Sequence, residues 1–398
     1  MSSKILINAR SLEHDFIPSD LPRREKERKT LIENLRDFFE SGDPYTSWIL
    51  FGDSGVGKTV LSKRVSEDLK KDFRENIIVA YVNCRGPNRR VYRALTDLVR
   101  QVEKSVPSKG LSQSDLINIL FELVAEKAGR AIFILDELGA LFWEQEGIKA
   151  KDLLYTISRF TERMPSVRGR AQIAVIAIVS KYDESVFYKW LDRSTRASFL
   201  RYELQLNPYN EADLFDILKY RAKLAFRPGT VLDEAIELIS SFVAKGHRGN
   251  ARIAIDILKD AGKLADKRND GYLGPKHVRL IQQHFLQAFD PEAFENLTRH
   301  KLILLIAIVR ALKSTGKSYV TRVDLETYYR ITCEEYNERP RRTTQLLRYL
   351  KELEMDLPGI VDVEVSGKGQ RGRSTRIRIN VPLDDLERRI QVFLDRYY

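Results

Sequence analysis

Four short apolar runs recur in the first half of the chain: Trp48–Phe51, Ile77–Val82, Ala131–Leu135 and Ile173–Val179. Segments of helical period separate them. A strand that is apolar at consecutive positions is covered on both faces, so this alternation predicts a parallel sheet with helices on either side. Ahead of the first run, "PRREKERKTLIENLRDFFESG" places Leu31, Leu35 and Phe38 on one face. It predicts a helix opened by Pro22 and ended by Gly42. Residues 1–20 carry no period and predict an irregular arm.

From about Pro208 the strand-like runs stop. "NEADLFDILKYRAKLAF", "DEAIELISSFVAK" and "NARIAIDILKDAGKLADK" predict three amphipathic helices, the latter two joined by the breaker "GHRG", and a fourth helix follows Gly274-Pro275. "FDPEAF" (Phe289–Phe294) predicts a linker. A very apolar helix (Thr298–Leu312), two more helices and a hairpin of Ile360–Val365 with Thr375–Val381 come next. Three helices and then two strands around a long turn are the pattern of a winged helix. The expected organisation is an arm at 1–20, an α/β base at 21–207, an all-helical region at 208–290 and a winged helix at 296–398.

In a winged helix the third helix enters the major groove of DNA. That helix is predicted in "RPRRTTQLLRYLKELE", with Pro340 in its first turn. Leu346, Leu347, Leu350 and Leu353 form the stripe for the core, which leaves Arg341, Arg342, Thr344, Gln345 and Arg348 for phosphates and base edges. A solvated polar face is the competing reading of these residues. Between the two strands lies "SGKGQRGRSTRIRI" (Ser366–Ile379). Its glycines and its Lys368, Gln370, Arg371 and Arg373 suit a flexible cationic tip that enters a groove. The alternation Arg376-Ile377-Arg378-Ile379 predicts a return strand with one buried face.

Charge agrees with that expectation. The chain of 398 residues has a formal net charge of +11, which favours a polyanionic partner. Its hydrophobic fraction of 43% is enough for sizeable cores. Two cysteines, Cys84 and Cys333, exclude a disulfide framework and give no zinc spacing. The first residues lack the apolar core of a signal peptide, and the longest apolar run, Leu302–Val309, is too short to cross a bilayer. The expectation is a cytoplasmic, nucleoid-associated protein with no membrane partner.

The chemistry is concentrated in "FGDSGVGKT", which spells Gly52-x-x-x-x-Gly57-Lys58-Thr59. It follows a strand run and precedes a helical pattern, the context a P-loop requires. Its backbone N–H groups, from Gly52 through Asp53, Ser54, Gly55, Val56 and Gly57 to Val60, cradle phosphates at a helix N-terminus. Lys58 is placed for the β- and γ-phosphates and Thr59 for Mg²⁺. "AIFILDEL" supplies the second half. Asp136 ends a buried strand and suits Mg²⁺, and Glu137 suits the activation of a water. ATP or ADP with Mg²⁺ is therefore the expected cofactor.

Taken together, these residues resemble the AAA+ ATPases, and specifically the archaeal DNA replication initiators of the origin-recognition-complex type. The resemblance covers nearly the whole chain. It implies an AAA+ α/β base with a helical lid and a C-terminal winged helix. "FIPSDLPRREKERKTL" resembles the family's entry, which implies Arg24, beside Glu25, near the adenine. "LQLNPYNEADLFDILKYRAKLAF" resembles the entry to the lid, which puts Tyr209 among the nucleotide contacts. "GNARIAIDILKDAGKLA" resembles the sensor 2 helix, so Arg252 is implied as its arginine. "VAYVNCRGPNRRVYRAL" resembles the second strand and extra helix; the family's DNA-contacting motif there implies Arg89, Arg90 and Arg93.

Two positions depart from the family. Where it usually has an asparagine as sensor 1, this chain has Lys181, which cannot accept a hydrogen bond. The arginine-finger segment reads Leu191-Asp192-Arg193-Ser194, so the finger is Arg193, Arg196 or neither. Slow hydrolysis follows, with nucleotide acting as a switch. The implied function is recognition of replication origins on double-stranded DNA and help in recruiting the replicative helicase, with paralogous initiators as further partners. A transcriptional regulator on the same architecture is the alternative.

Overall fold

The computed structural model describes residues 4–74, 76–86, 90–143, 146–282, 294, 297–365 and 375–395. The chain divides into two compact units, Asp15–Pro208 and Met1–His14 together with Tyr209–Tyr398.

The first unit is built on a five-stranded sheet. Its strands are β1 (Tyr45–Gly52), β2 (Ile78–Asn83), β3 (Arg130–Asp136), β4 (Gln172–Ser180) and β5 (Tyr202–Gln205), in the order β2-β3-β4-β1-β5. Every pairing is parallel, with Gly52 opposite Ser180 and Asp136 opposite Asn83. The apolar runs are explained by what lies on each face. In β4, Ile173, Val175, Ala177 and Val179 join the core under α3 (Val91–Val102), α4 (Gln113–Lys127) and α5 (Glu146–Ser158). Ala174, Ile176 and Ile178 join the opposite core under α1 (Glu25–Ser41) and α2 (Lys58–Asp72). The ends of β1 and β3 thus present the P-loop and Asp136 at one edge of the sheet, where open α/β sheets hold ligands.

Two details differ from the sequence pattern. Helix α1 begins at Glu25 rather than at Pro22, because Arg23 has φ 67° and Arg24 is the non-helical N-cap. Strand β5 was not anticipated. It reads Tyr-Glu-Leu-Gln and is mostly exposed at the sheet edge, so it lacks the apolar run that marked the others. Between β3 and β5 lie α6 (Phe160–Arg163), α7 (Glu184–Trp190) and α8 (Arg193–Phe199).

The second unit contains α9 (Glu211–Ala225), α10 (Asp233–Gly246), α11 (Ala251–Arg268) and α12 (Pro275–Gln282), around Leu214, Leu218, Ile239, Ile257 and Leu258. The segment at the start of the chain is part of this bundle. Ile5 and Leu12 are buried in its core, and the Ile5 N–H donates to Asp266 at 2.7 Å. The expected linker residues 289–293 lie outside the described residues, and Phe294 is buried in the next core.

That core belongs to α13 (Arg299–Thr315), β6 (Val320–Thr321), α14 (Arg322–Glu335), α15 (Thr343–Asp356), β7 (Val361–Val365), β8 (Thr375–Ile379) and α16 (Leu383–Asp395). The strands form an antiparallel sheet in the order β6-β8-β7. Strand β6 and helix α16 were not anticipated. Helix α15 starts at Thr343 with Arg342 as N-cap, so Pro340 precedes it rather than sitting in its first turn. In strand β8 the expected face, Ile377 and Ile379, fills the core; on the other face Arg376 is half-buried and Arg378 is 1% exposed.

Candidate nucleotide site and nucleic-acid interface

The P-loop turns directly into α2. Gly57, its N-cap, has φ 94°, a left-handed conformation that a side chain disfavours. Lys58 is buried, and its Nζ donates to the carbonyls of Gly52 and Asp53, each at 2.7 Å. It therefore lies folded over the loop it serves. Val56 is fully buried, and its carbonyl accepts from Arg24 Nε at 3.2 Å and Nη2 at 3.1 Å. Arg24 Nη2 also donates to the Asn207 carbonyl at 2.6 Å, and Nη1 pairs with Glu27 at 2.8 Å. Arg24 is 6% exposed and braces the loop through Val56 and Asn207. Its acidic partner is Glu27, not the exposed Glu25.

The two halves of the motif meet. Thr59 Oγ1 donates to Asp136 Oδ2 at 2.9 Å. A hydroxyl and a carboxylate side by side at a phosphate-binding loop are hard oxygen donors of the kind Mg²⁺ takes along with substrate phosphates. The same Oδ2 accepts from the Tyr81 phenol at 2.8 Å. Tyr81 comes from β2 and was missed in the sequence, where it read as one more residue of an apolar run. The adjacent Asp136 pushes its phenol pKa upward, after burial as the larger cause.

Glu137 follows in a left-handed conformation, φ 53°. Burial raises its carboxyl pKa, and Arg85, whose Nη2 is 3.3 Å away, opposes that rise. A carboxylate with increased proton affinity suits a general base. Arg85 Nη2 also pairs at 2.9 Å with Asp183, which is 1% exposed and takes the Ser180 hydroxyl at 2.7 Å and Trp143 Nε1 at 3.1 Å. Gly139 is required beside it: a Cβ there would lie 2.3 Å from the Asp183 Cβ. Asp183 is the buried polar group of the turn after β4. The expected sensor residue, Lys181, is exposed on the same turn, and its backbone N–H donates to the Gly52 carbonyl at 3.2 Å.

The two finger candidates separate. Arg196 donates from Nε to the Leu191 carbonyl at 2.8 Å and from Nη2 to the Tyr188 carbonyl, so its guanidinium is committed within its own unit. Arg193 is exposed on the first turn of α8. Arg252 is exposed on the first turn of α11, where Asn250 caps its backbone N–H at 3.0 Å. Tyr209 is 6% exposed in the core of the helical bundle.

On α15, Leu346, Leu350 and Leu353 are buried and Leu347 and Gln345 half-buried, while Thr344 and Arg348 are exposed, as are Arg341 and Arg342 just before the helix. Arg348 pairs with Glu352 at 3.2 Å, and Arg341 Nε donates to His300 Nε2 at 2.9 Å. Arg90 caps α3 and Arg93 is exposed on it, sharing the face with Asp97 and Arg100. Lys368, Gln370, Arg371, Arg373 and Arg89 lie outside the described residues.

Family models match three parts of the chain: an AAA domain at residues 43–179, a Cdc6 AAA+ ATPase-type lid domain at 215–283 and a CDC6 C-terminal winged helix domain at 292–389. The ORC1-type DNA replication protein 2 of Saccharolobus solfataricus is 31% identical over 396 residues, covering 96% of this chain and 92% of that one. This chain belongs to the ORC1/Cdc6-type DNA replication proteins.

Solved structures of the family agree on the fold. The Cdc6p crystal structure from Pyrobaculum aerophilum superposes with a TM-score of 0.80 at 28% identity, covering 99% of each chain. The Aeropyrum pernix ORC2 protein, solved in ADPNP–ADP complexes, gives 0.64 at 26% identity, again over 99% of each chain. As an ORC1/Cdc6-type AAA+ protein, the chain has a nucleotide-binding fold. The sequence missed Tyr81, Arg85 and Asp183. Only the Ser180-to-Asp183 spacing, which closes a turn after an apolar strand, carried any signal for the last.

Proposed function

We propose that this chain is an ATP-regulated initiator that grips duplex DNA at replication origins and helps to recruit the replicative helicase. The observation that carries the DNA reading is α15 and the turn before it: the helix buries its leucines and exposes Thr344 and Arg348 in its N-terminal half, with Arg341 and Arg342 exposed just ahead of it. A winged helix presents that part of its third helix to the major groove. A net charge of +11 adds long-range attraction to a polyanion.

ATP is the cofactor that the P-loop and the acidic pair Asp136-Glu137 fit. Thr59 and Asp136 are the residues to hold Mg²⁺, which when bound neutralises developing phosphate charge. Lys58, which here donates to the Gly52 and Asp53 carbonyls, is the residue that would pair with the β- and γ-phosphates. Glu137 orients and deprotonates a water. Arg193 is the finger offered to a neighbouring subunit and Arg252 the sensor 2 arginine. An exposed lysine at the sensor 1 position, in place of an amide, supports slow turnover and a nucleotide switch rather than a motor.

Genome-wide footprinting with and without ATP tests this reading. ATP-dependent protection at replication origins is expected, and protection confined to promoters would favour a transcriptional regulator instead. The Lys58→Ala variant should lose ATP affinity, and unchanged nucleotide binding by calorimetry would sink the P-loop assignment.

A further inference from the structure

Three elements of the winged helix meet at one imidazole. His300, the second residue of α13, is 8% exposed. Its Nδ1 lies 2.9 Å from the phenol oxygen of Tyr329 on α14. Its Nε2 lies 2.9 Å from Nε of Arg341, in the turn that leads into α15. A guanidinium only donates hydrogen bonds. Nε2 must therefore be the bare nitrogen, and the ring proton sits on Nδ1, donated to Tyr329. Tyr329 is itself 1% exposed, and burial pushes its phenol pKa up. Arg341 is thus tied by its side chain to the His300–Tyr329 pair.

The neighbours define what a second proton would do. Arg299 from α13, Tyr329 and Cys333 from α14, and Glu338 and Arg341 from the following turn face this cluster. Glu338 Oε2 is 3.5 Å from Nε2 and also holds Arg299 at 3.0 Å through its other oxygen. A proton on Nε2 would set two donors against each other, His300 and Arg341. It would give the ring a new acceptor in Glu338. Burial first, and then the Arg341 charge, lower the His300 pKa, so the neutral ring that holds Arg341 is the form present at neutral pH.

We propose that His300 is a positioning residue for DNA recognition: its neutral ring fixes Arg341 at the entry to α15, and protonation releases it. This rests on the reading of α15 as the DNA-facing helix. It makes the grip on DNA sensitive to mild acid through one side chain that touches no DNA.

The test measures anisotropy of a labelled mixed-sequence DNA duplex with the full chain, at fixed ionic strength, between about pH 5 and 8. Wild-type affinity should be flat on the neutral side and fall at least about fivefold on the acid side, the lower bound for one lost arginine contact. His300→Gln supplies an acceptor at the Nε2 position and cannot take the proton. It should keep the neutral-pH affinity and lose the acid-side fall. His300→Asn keeps only the Tyr329 partner and should bind at least about fivefold more weakly at neutral pH. Arg341→Ala should match it, and the double variant should be no weaker than either.

An acid-side fall that persists in His300→Gln overturns the proposal. So does an Asn variant that binds as wild type while Arg341→Ala is weak, and in both cases the DNA reading stands. Arg341→Ala binding as wild type removes the contact that His300 is meant to position, and overturns it as well. A wild-type chain that binds no duplex overturns the DNA reading and the proposal with it. If circular dichroism shows His300→Asn unfolded, the wild-type and Gln pH profiles decide.

Discussion

Asp136 Oδ2 accepts from both Thr59 and Tyr81, so the orientation of this carboxylate is set by two hydroxyls on different elements. Asp136 is proposed to hold Mg²⁺, and losing a group that orients a metal ligand typically costs about 10–100-fold in metal affinity. Tyr81→Phe is therefore expected to raise the Mg²⁺ concentration needed for tight ATP binding by about tenfold, with metal-free nucleotide affinity unchanged. Calorimetric titrations at several Mg²⁺ concentrations read this directly. Glu137 is proposed for a different task, that of the base. Replacing it with glutamine keeps the shape and removes the base, so Glu137→Gln should bind ATP as wild type and slow its cleavage by about 10²–10⁴-fold. Undiminished cleavage in a single-turnover assay would rule out Glu137 as the base. Asp183 and Arg85 belong to the same cluster, yet neither belongs to a motif. Asp183 is buried and Arg85 exposed; what joins them to the cluster is proximity in space, which a linear pattern does not carry.

At the scale of elements, strand β8 shows how partner choice decides a residue's meaning. Arg378 lies in a basic run and looks like part of a DNA-binding wing. In the fold its Nη1 pairs with Glu364 on β7 and its Nη2 with Glu211 at the start of α9, each at 2.8 Å. Burial raises the Glu211 carboxyl pKa, with Arg378 opposing. The hairpin is fastened to the helical bundle at other points too: Lys245 pairs with Asp362 at 2.9 Å, and Arg279 Nε donates to the Ile379 carbonyl at 2.9 Å. Arg279 is buried so completely that its pKa falls to about 10. Arg378→Ala would strand two carboxylates. The expected cost is about 3 kcal/mol, at the low end for a broken buried pair because both acids retain some solvent contact. Urea unfolding of the variant measures it, and a change below about 1 kcal/mol would place Arg378 with surface ion pairs. The helices and their leucine stripes were legible in the periodicity. The two-residue β6 was not, since its pairing with β8 comes from tertiary contact.

For the molecule as a whole, acid response follows from its histidines. His247, His277 and His300 each have a pKa lowered from 6.5, with burial as the first cause. The unfolded chain therefore binds protons at these sites before the folded chain does. Stability contributed by the neutral rings is present above about 6.5 and is lost as pH falls from there toward the folded values. Thermal unfolding followed from about pH 7 to about pH 5 should show a falling Tm, and a flat profile would contradict the burial of these rings. All three lie in the unit that carries the winged helix, so the loss should fall on that unit rather than on the nucleotide-binding one.

By itself the sequence determined what depends on contiguous residues or on a period. The P-loop is eight neighbouring residues, Gly52 to Thr59, whose chemistry is local. The buried parallel strands, the helical lid and the leucine face of α15 follow from where apolar side chains recur. Family membership rests on those same features in their order. Only the tertiary structure decided what each charged side chain is for. Arg24 braces a loop, Arg196 caps carbonyls of its own unit, Arg378 is buried between two acids, and Arg341 is held by a histidine. A residue's charge announces a need for a partner. Which partner it finds is set by packing that brings together residues as far apart as Glu211 and Arg378, 167 positions along the chain.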